Sequence, residues 1–167
     1  GELMITCGID VGSLSSEAAI FVDSSLETYS LIRTGPDSAE TAKRALQAAL
    51  ETTDIHQQDI EYTVATGYGR VIVPFADRNI TEISCHAKGA HYFHPSVRTI
   101  LDMGGQDCKA IRCDGNGKVT RFLMNDKCAA GTGRFLEVLT DRILNLDLEE
   151  LGPLSLECKS PCIISSM

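Results

Sequence analysis

The stretch Ile9-Asp-Val-Gly-Ser13 places an aspartate and a glycine at the end of an apolar, β-prone run. The same order returns in Leu101-Asp-Met-Gly-Gly105, again after a strand-like run. Glycine lets backbone N–H groups approach phosphate oxygens closely, and aspartate binds Mg²⁺ directly or through water. Two matching turns therefore favour a phosphate-and-magnesium clamp built on Asp10 and Asp102, with two ordinary glycine turns as the alternative.

Strand and helix patterns alternate on both sides of the first turn. Helix Ser38–Thr52 has an apolar face at three-and-four spacing, and Ser38 is its expected N-cap. Helix Ser84–Phe93 is predicted in the same way. The predicted strands are Ile5–Asp10, Ala18–Asp23, Tyr29–Arg33, Ile60–Thr66, Arg98–Met103, Lys109–Cys113 and Val119–Met124. This order indicates an α/β fold with a mixed β-sheet flanked by helices.

Composition excludes several classes of protein. A formal net charge of −8 argues against nucleic-acid binding. We expect no membrane span, because no apolar run reaches the roughly 18 residues that one requires. The sequence has seven cysteines, an odd number at irregular spacings, and we see no secretory signal. This pattern favours reduced thiols in the cytoplasm over a disulfide framework.

The segment Met124–Glu137 reads MNDKCAAGTGRFLE and carries one cysteine, Cys128, on a loop of small residues. The loop runs straight into an amphipathic helix, and its small residues are Ala129, Ala130, Gly131, Thr132 and Gly133. The free N–H groups and backbone dipoles of a helix start stabilise a thiolate, a phosphate or an anionic metal cluster. The segment therefore predicts an anion-binding helix start with a potential metal ligand.

Five motifs together resemble one family. They are GIDVGS (8–13), VATGYGR (64–70), TEISCHAKGA (81–90), ILDMGGQD (100–107) and MNDKCAAGTGRFLE (124–137). They look like the activator ATPases of 2-hydroxyacyl-CoA dehydratases, a family that includes ATPase subunits of benzoyl-CoA reductases (the BadF/BadG/BcrA/BcrD type). The resemblance implies an actin-like fold of ribonuclease-H-like lobes, a homodimer, bound ATP or ADP with Mg²⁺, and one [4Fe–4S] cluster shared across the dimer interface.

The motifs also imply roles for residues of this sequence. Asp10–Ser15 would form the first phosphate loop, through Gly12, Ser13, Leu14 and Ser15. Asp102–Gln106 would form the second, through Gly104 and Gly105, and Gln106 would orient the attacking water. Cys128 would be one of two cluster ligands per subunit, with Gly131 and Thr132 beside it.

The same resemblance implies a domain division and two departures. Residues 1–145 would be the first lobe, with both phosphate loops and the cluster helix, and residues 146–167 would lead to a second lobe absent from this chain. The family's second cluster cysteine would fall just past Met167. Glu17 puts a negative charge close to the first phosphate loop, and this charge would lower the affinity for a nucleotide.

Three other functions stay open beside the dehydratase activator. They are the ATPase subunit of a benzoyl-CoA reductase, a small-metabolite kinase of the actin-like superfamily, and a nucleotide-gated binding module without enzymatic activity. An activator or reductase subunit would act on a protein partner that handles a CoA thioester. Cys128 in its loop argues against the kinase.

A few polar residues carry weaker signals. Glu82 and His86 have the spacing of a helical metal pair, but a satisfied pair at a helix end is the expected interpretation. Lys109 could reach a phosphate or lie on a solvated face. Cys158 and Cys162 are four residues apart, and Pro161 between them argues for free or structural thiols.

Overall fold

Two β-sheets and four α-helices make up the residues that the computed structural model describes, which are 3–125 and 132–162. In the described residues, no helix has both the length and the apolar character needed to cross a membrane.

The first sheet has five strands in the order β3-β2-β1-β4-β5. Its strands are β1 (Ile5–Val11), β2 (Ser15–Val22), β3 (Ser25–Arg33), β4 (Tyr62–Thr66) and β5 (Arg78–Asn79). The first three pair antiparallel, whereas β4 is parallel to β1 and to β5. The sheet is therefore mixed, as the sequence predicts. The carboxyl ends of β1 and β4 meet at the pair Asp10 and Thr66.

Helix α1 (Ser38–Leu50) covers one face of this sheet. Its small buried residues Ala42, Ala45 and Ala49 let the helix approach the sheet closely. The expectation that Ser38 caps the helix is wrong. The side chain of Asp37 accepts hydrogen bonds from the N–H groups of residues 39 and 40, because its carboxylate lies one position ahead of the first helical residue.

The second sheet is a three-stranded antiparallel meander, β6 (Thr99–Met103), β7 (Cys108–Cys113) and β8 (Val119–Asn125). Helix α2 (Glu82–Phe93) follows β5 of the first sheet and packs on the second sheet. Its residues Ile83 and Ala87 join a small core with Ile111 and Cys113. Helix α2 therefore connects the two sheets physically.

The described part beyond residue 131 is helical. Helix α3 (Gly133–Leu139) continues into one π-helical turn (Thr140–Leu144), and α4 (Leu148–Leu156) follows. Asn145 ends the turn in the left-handed region, at φ 52°. The apolar stripe expected on this segment is present, but Phe135, Ile143 and Leu144 are exposed.

The domain boundary at residue 145 stays a prediction. Asp10 ends a strand of the five-stranded sheet, whereas Asp102 belongs to the three-stranded sheet. The two Asp-x-Gly turns thus belong to different sheets, and the site between them depends on how α2 joins those sheets.

Candidate nucleotide site

The two Asp-x-Gly turns share one backbone geometry. The N–H of Gly12 donates to the carbonyl of Ser15 at 3.0 Å, and the N–H of Gly104 donates to the carbonyl of Asp107 at 2.9 Å. Each bond closes a turn of four residues, 12–15 and 104–107, with the aspartate two positions ahead of the glycine. The repetition in the sequence is therefore a repetition in structure, one copy in each sheet.

Both turns line one cavity of about 460 Å³. This volume is within the range of about 300–1,000 Å³ typical of small-molecule sites. Nine of the predicted site residues line it: Asp10, Gly12, Ser13, Leu14, Ser15, Asp102, Gly104, Gly105 and Gln106. The remaining lining residues are Glu17, Gly67, Tyr68, Glu82, His86, Asp107 and Lys109.

Three other predicted site residues lie in the segment before α3. Cys128 and Gly131 lie outside the described residues. Thr132 is buried at the N-terminus of α3. The next residue, Gly133, donates its N–H to the carbonyl of Gly104 at 3.1 Å. The start of α3 is therefore bonded directly to the second glycine turn.

His86 lies between the two aspartates. Its Nδ1 bonds Asp102 Oδ2 at 2.9 Å, and its Nε2 is 3.8 Å from Asp10 Oδ2. The carboxylates of Asp10 and Asp102 together raise the pKa of His86 from 6.5 to about 9, although partial burial opposes this. The same hydrogen bond with His86 holds the pKa of Asp102 below its ordinary value. An imidazolium paired with an ionised Asp102 is thus the favoured state near neutral pH.

Lys109 is the second cation of the cavity. Its side chain is only 4% exposed, and its ammonium donates to Asp107 and, at 3.3 Å, to Asp102. Glu82 Oε1 is 3.6 Å away. Burial lowers the pKa of Lys109, but the hydrogen bond to Asp107 and the nearby carboxylates outweigh this and raise it. An ammonium has three donors, and three carboxylates surround this one.

Glu17 lines the same cavity, close to the first glycine turn. Burial raises its pKa, and the charge of Asp10 acts in the same direction. A hydrogen bond with Ser15 and the neighbouring His86 lower it by less. Burial therefore makes the ionised form of Glu17 less favourable than that of an exposed glutamate.

Gly67 closes the cavity from the end of β4. Its φ of +82° is in the region that favours glycine, and a Cβ at this position would meet the carboxylate of Asp10 and, at 2.6 Å, the carbonyl of Val11. No larger residue fits without moving Asp10. The sequence motif at residues 64–70 therefore has a specific steric cause.

Within residues 3–125 and 132–162, His, Cys, Asp and Glu side chains form no group of three placed to hold a metal ion. Mg²⁺ is usually bound by one or two carboxylates, with waters and substrate phosphates completing the octahedron. Asp10 and Asp102 fit this requirement, since both face the same cavity and Asp102 has a lowered pKa.

Sequence reasoning undervalued three residues of the site. Glu82 and His86 are not paired with each other at a helix end; each contacts a residue of the second sheet. Their i, i+4 spacing does place both side chains on one face of a helix. Only the packing of α2 shows that this face contacts the second sheet. Lys109 does not lie on a solvated face, although its register opposite Asp102 follows from the predicted hairpin.

Comparison with known proteins matches this chain to one family over most of its length. The BadF/BadG/BcrA/BcrD ATPase family matches residues 7–167. The activator of lactoyl-CoA dehydratase from Anaerotignum propionicum is 49% identical over 164 residues, covering 98% of this chain and 62% of that protein. The chain thus spans about 60% of the length of curated relatives that it matches.

Two solved structures share the fold. Component A of (R)-2-hydroxyglutaryl-CoA dehydratase from Acidaminococcus fermentans superposes with a TM-score of 0.90 at 41% identity, over 98% of this chain and 62% of that one. The activator of 2-hydroxyisocaproyl-CoA dehydratase from Clostridium difficile, solved with bound ADPNP, gives 0.87 at 41% identity, over 98% and 60%. The expected actin-like α/β fold is confirmed.

Proposed function

The chain belongs to the BadF/BadG/BcrA/BcrD ATPase family, and we propose that it forms the nucleotide-binding part of an ATP-hydrolysing iron–sulfur activator. The activator drives low-potential electron transfer to a 2-hydroxyacyl-CoA dehydratase in the cytoplasm. Dehydratase activators among the similar proteins support this choice over a benzoyl-CoA reductase subunit. The cavity between two glycine turns supports the nucleotide part of the proposal.

In this proposal the cavity holds the phosphates of ATP or ADP with Mg²⁺. Backbone N–H groups of Gly12–Ser15 and of Gly104 and Gly105 contact phosphate oxygens, as glycine turns allow. Asp10 and Asp102 hold Mg²⁺ together with waters and phosphates. Gln106 orients the attacking water, and in-line attack then needs little beyond positioning and charge stabilisation. An anionic nucleotide requires the metal here, because the described residues that line the cavity include five carboxyl groups and two cationic side chains.

A coupling between the nucleotide cavity and the Cys128 loop is supported by one observation, the hydrogen bond from the N–H of Gly133 to the carbonyl of Gly104. It attaches the first turn of α3 to the second phosphate turn. A shift of that turn between ATP and ADP therefore moves the start of α3, which follows the Cys128 loop in sequence by a few residues. A kinase of the same fold would have no need for a metal-binding cysteine in this position.

Cys128 is one of two ligands that each subunit of a homodimer gives to a shared [4Fe–4S] cluster. Four thiolates are the ordinary ligand set of such a cluster, and the helix starts beside them stabilise its negative charge. When bound, the cluster supplies the electron that passes to the dehydratase. Gly131 and Thr132 complete the loop beside this cysteine.

Two reciprocal variants of the full-length protein, purified without oxygen, test the proposal. We expect about four iron atoms per parent dimer. Cys128→Ala should lose nearly all of the iron and retain ADP binding. Asp102→Asn should retain the iron and lose about 100-fold or more in ATP turnover, because the metal and phosphate charges are no longer held. Cys158→Ala is the matched control, since this exposed thiol should leave both quantities unchanged.

Retention of iron in Cys128→Ala would exclude this cysteine as a ligand. A parent protein that binds no iron after anaerobic reconstitution, yet converts ATP to ADP only when a small acceptor is added and becomes phosphorylated, would identify a kinase instead. Unchanged turnover in Asp102→Asn would remove the phosphate-and-magnesium clamp.

A further inference from the structure

His86 contacts one carboxylate from each sheet. Its Nδ1 donates to Asp102 Oδ2 at 2.9 Å, and its Nε2 is 3.8 Å from Asp10 Oδ2. Asp10 is at the end of β1 and Asp102 is in β6, so the two carboxylates belong to strands that share no hydrogen bonds. The imidazole is the group that spans them.

The position of the His86 ring is determined by its helix. Ile83 and Ala87, on either side of His86 in sequence, pack into the small core of the second sheet. Glu82, one turn before His86, lies 3.6 Å from Lys109 of β7 and 3.5 Å from Arg70. A helix held by apolar and polar contacts cannot shift its histidine without disturbing both.

Asp102 is held on one oxygen by two cations. His86 and Lys109 both contact Oδ2, at 2.9 and 3.3 Å. A carboxylate has two oxygens with about four lone-pair directions, so contacts that use Oδ2 fix the plane of the group and leave Oδ1 to serve as a metal ligand. Carboxylates and imidazoles oriented by such outer contacts bind metals about 10–100-fold better than unsupported ones.

We infer that His86 is a positioning residue of the magnesium–nucleotide site: it sets the separation and orientation of Asp10 and Asp102 so that one Mg²⁺ uses both carboxylates. The inference rests on the proposed function, since it assigns a role within the same cavity. It gives α2 a part in nucleotide binding beyond joining the sheets.

The test is ADP binding to the full-length protein by calorimetry over a range of Mg²⁺ concentrations, a measurement that involves no turnover. His86→Ala should raise the Mg²⁺ concentration for half-maximal ADP affinity about tenfold. ADP binding in excess EDTA should stay within twofold of the parent. His86→Gln should give an intermediate shift, because its amide can donate to one carboxylate at a similar volume.

Lys88→Ala is the matched control. Lys88 is on the same helix and donates to the carbonyl of Asn116 at 2.7 Å, so this variant also removes a polar contact between α2 and the second sheet, outside the cavity. It should leave the Mg²⁺ dependence unchanged. An equal loss of ADP affinity with and without Mg²⁺ in the His86 variants would show a merely structural role.

Two other outcomes are informative. An unchanged or lowered Mg²⁺ requirement in His86→Gln and His86→Ala would overturn the inference, since the ring would then be irrelevant to the metal or compete with it. A parent that binds ADP without any dependence on Mg²⁺, or does not bind it, would overturn the proposed site itself. Should His86→Ala fail to fold, His86→Gln decides the question alone.

Discussion

At the scale of single residues, charge pairing explains how an acid-rich cavity is stable. Lys109 is nearly inaccessible, yet three carboxylates face its ammonium. An unpaired buried charge costs several kcal/mol, so the carboxylates and the lysine depend on one another. Lys109 and His86 therefore offset part of the negative charge of the cavity before any ligand arrives, and an excess of carboxyl groups remains.

Asp114 provides a residue-scale prediction about pH. Its carboxylate accepts the N–H groups of Asn116 and Lys118 at 2.8 and 2.9 Å, and these backbone bonds hold its pKa below the ordinary 3.8. A folded pKa below the unfolded one gives stability that is present above pH 3.8 and is lost as pH falls through the folded value. Asp114→Ala should lower the urea midpoint at pH 7, and the difference should disappear at lower pH.

Asp54→Ala is the control for this prediction, because the side chain of Asp54 is exposed in a loop. It should shift the midpoint little at any pH. A difference between parent and Asp114→Ala that persists undiminished well below pH 3.8 would contradict the role of the ionised carboxylate.

At the scale of elements, two glycines should respond in opposite ways to the same substitution. Gly67 has a φ of +82°, and a Cβ there would meet Asp10 and the carbonyl of Val11. Gly67→Ala should destabilise the protein by about 2 kcal/mol or more and weaken ADP binding, because the end of β1 must move. Gly89 lies inside α2, and apart from its chain neighbours and its own helix backbone no atom of the described residues is within 4 Å of an added Cβ. Gly89→Ala should stabilise by about 0.5–1 kcal/mol.

Urea unfolding of both variants beside the parent gives the measurement. Destabilisation by Gly89→Ala would contradict the prediction for α2, because it would show that a methyl group does not fit at this position. A neutral Gly67→Ala would mean that the turn after β4 can relax without displacing Asp10.

At the scale of the whole molecule, a nucleotide in the cavity should link the two sheets. The two turns already touch, since a Cβ on Gly105 would lie 2.5 Å from the side chain of Leu14. Saturating MgADP should slow hydrogen exchange in both turns, residues 12–15 and 104–107. When the MgADP concentration is 100 times the dissociation constant, exchange should slow by about 100-fold. This holds for amides that exchange only through an opening that releases the ligand.

Mass spectrometry of exchanged peptides checks this prediction in the full-length protein. The loop of residues 51–56, at the far end of α1, is the internal control and should exchange at the same rate with and without nucleotide. Protection confined to one of the two turns would contradict a ligand that bridges both sheets.

The amino-acid sequence by itself determined seven of the eight described strands, the main helices and the two glycine turns, because these depend on local periodicity and on backbone freedom within a few residues. The two-residue strand β5 was not predicted, because it is too short to show a periodic pattern. It also indicated the nine residues in and beside the two turns that line the cavity, since the repeated Asp-x-Gly pattern is local. The fold class followed from the order of these elements and from the family motifs.

Only the tertiary structure decided what meets across the cavity. Three features of the site involve residues from different elements. They are the pairing of His86 with Asp10 and Asp102, the contact of the buried Lys109 with Asp102, and the bond between Gly133 and Gly104. Their geometry depends on the packing of α2 between two sheets, which no short sequence window contains. The raised pKa of Glu17 has the same origin, because burial is a property of the assembled fold and not of the residue.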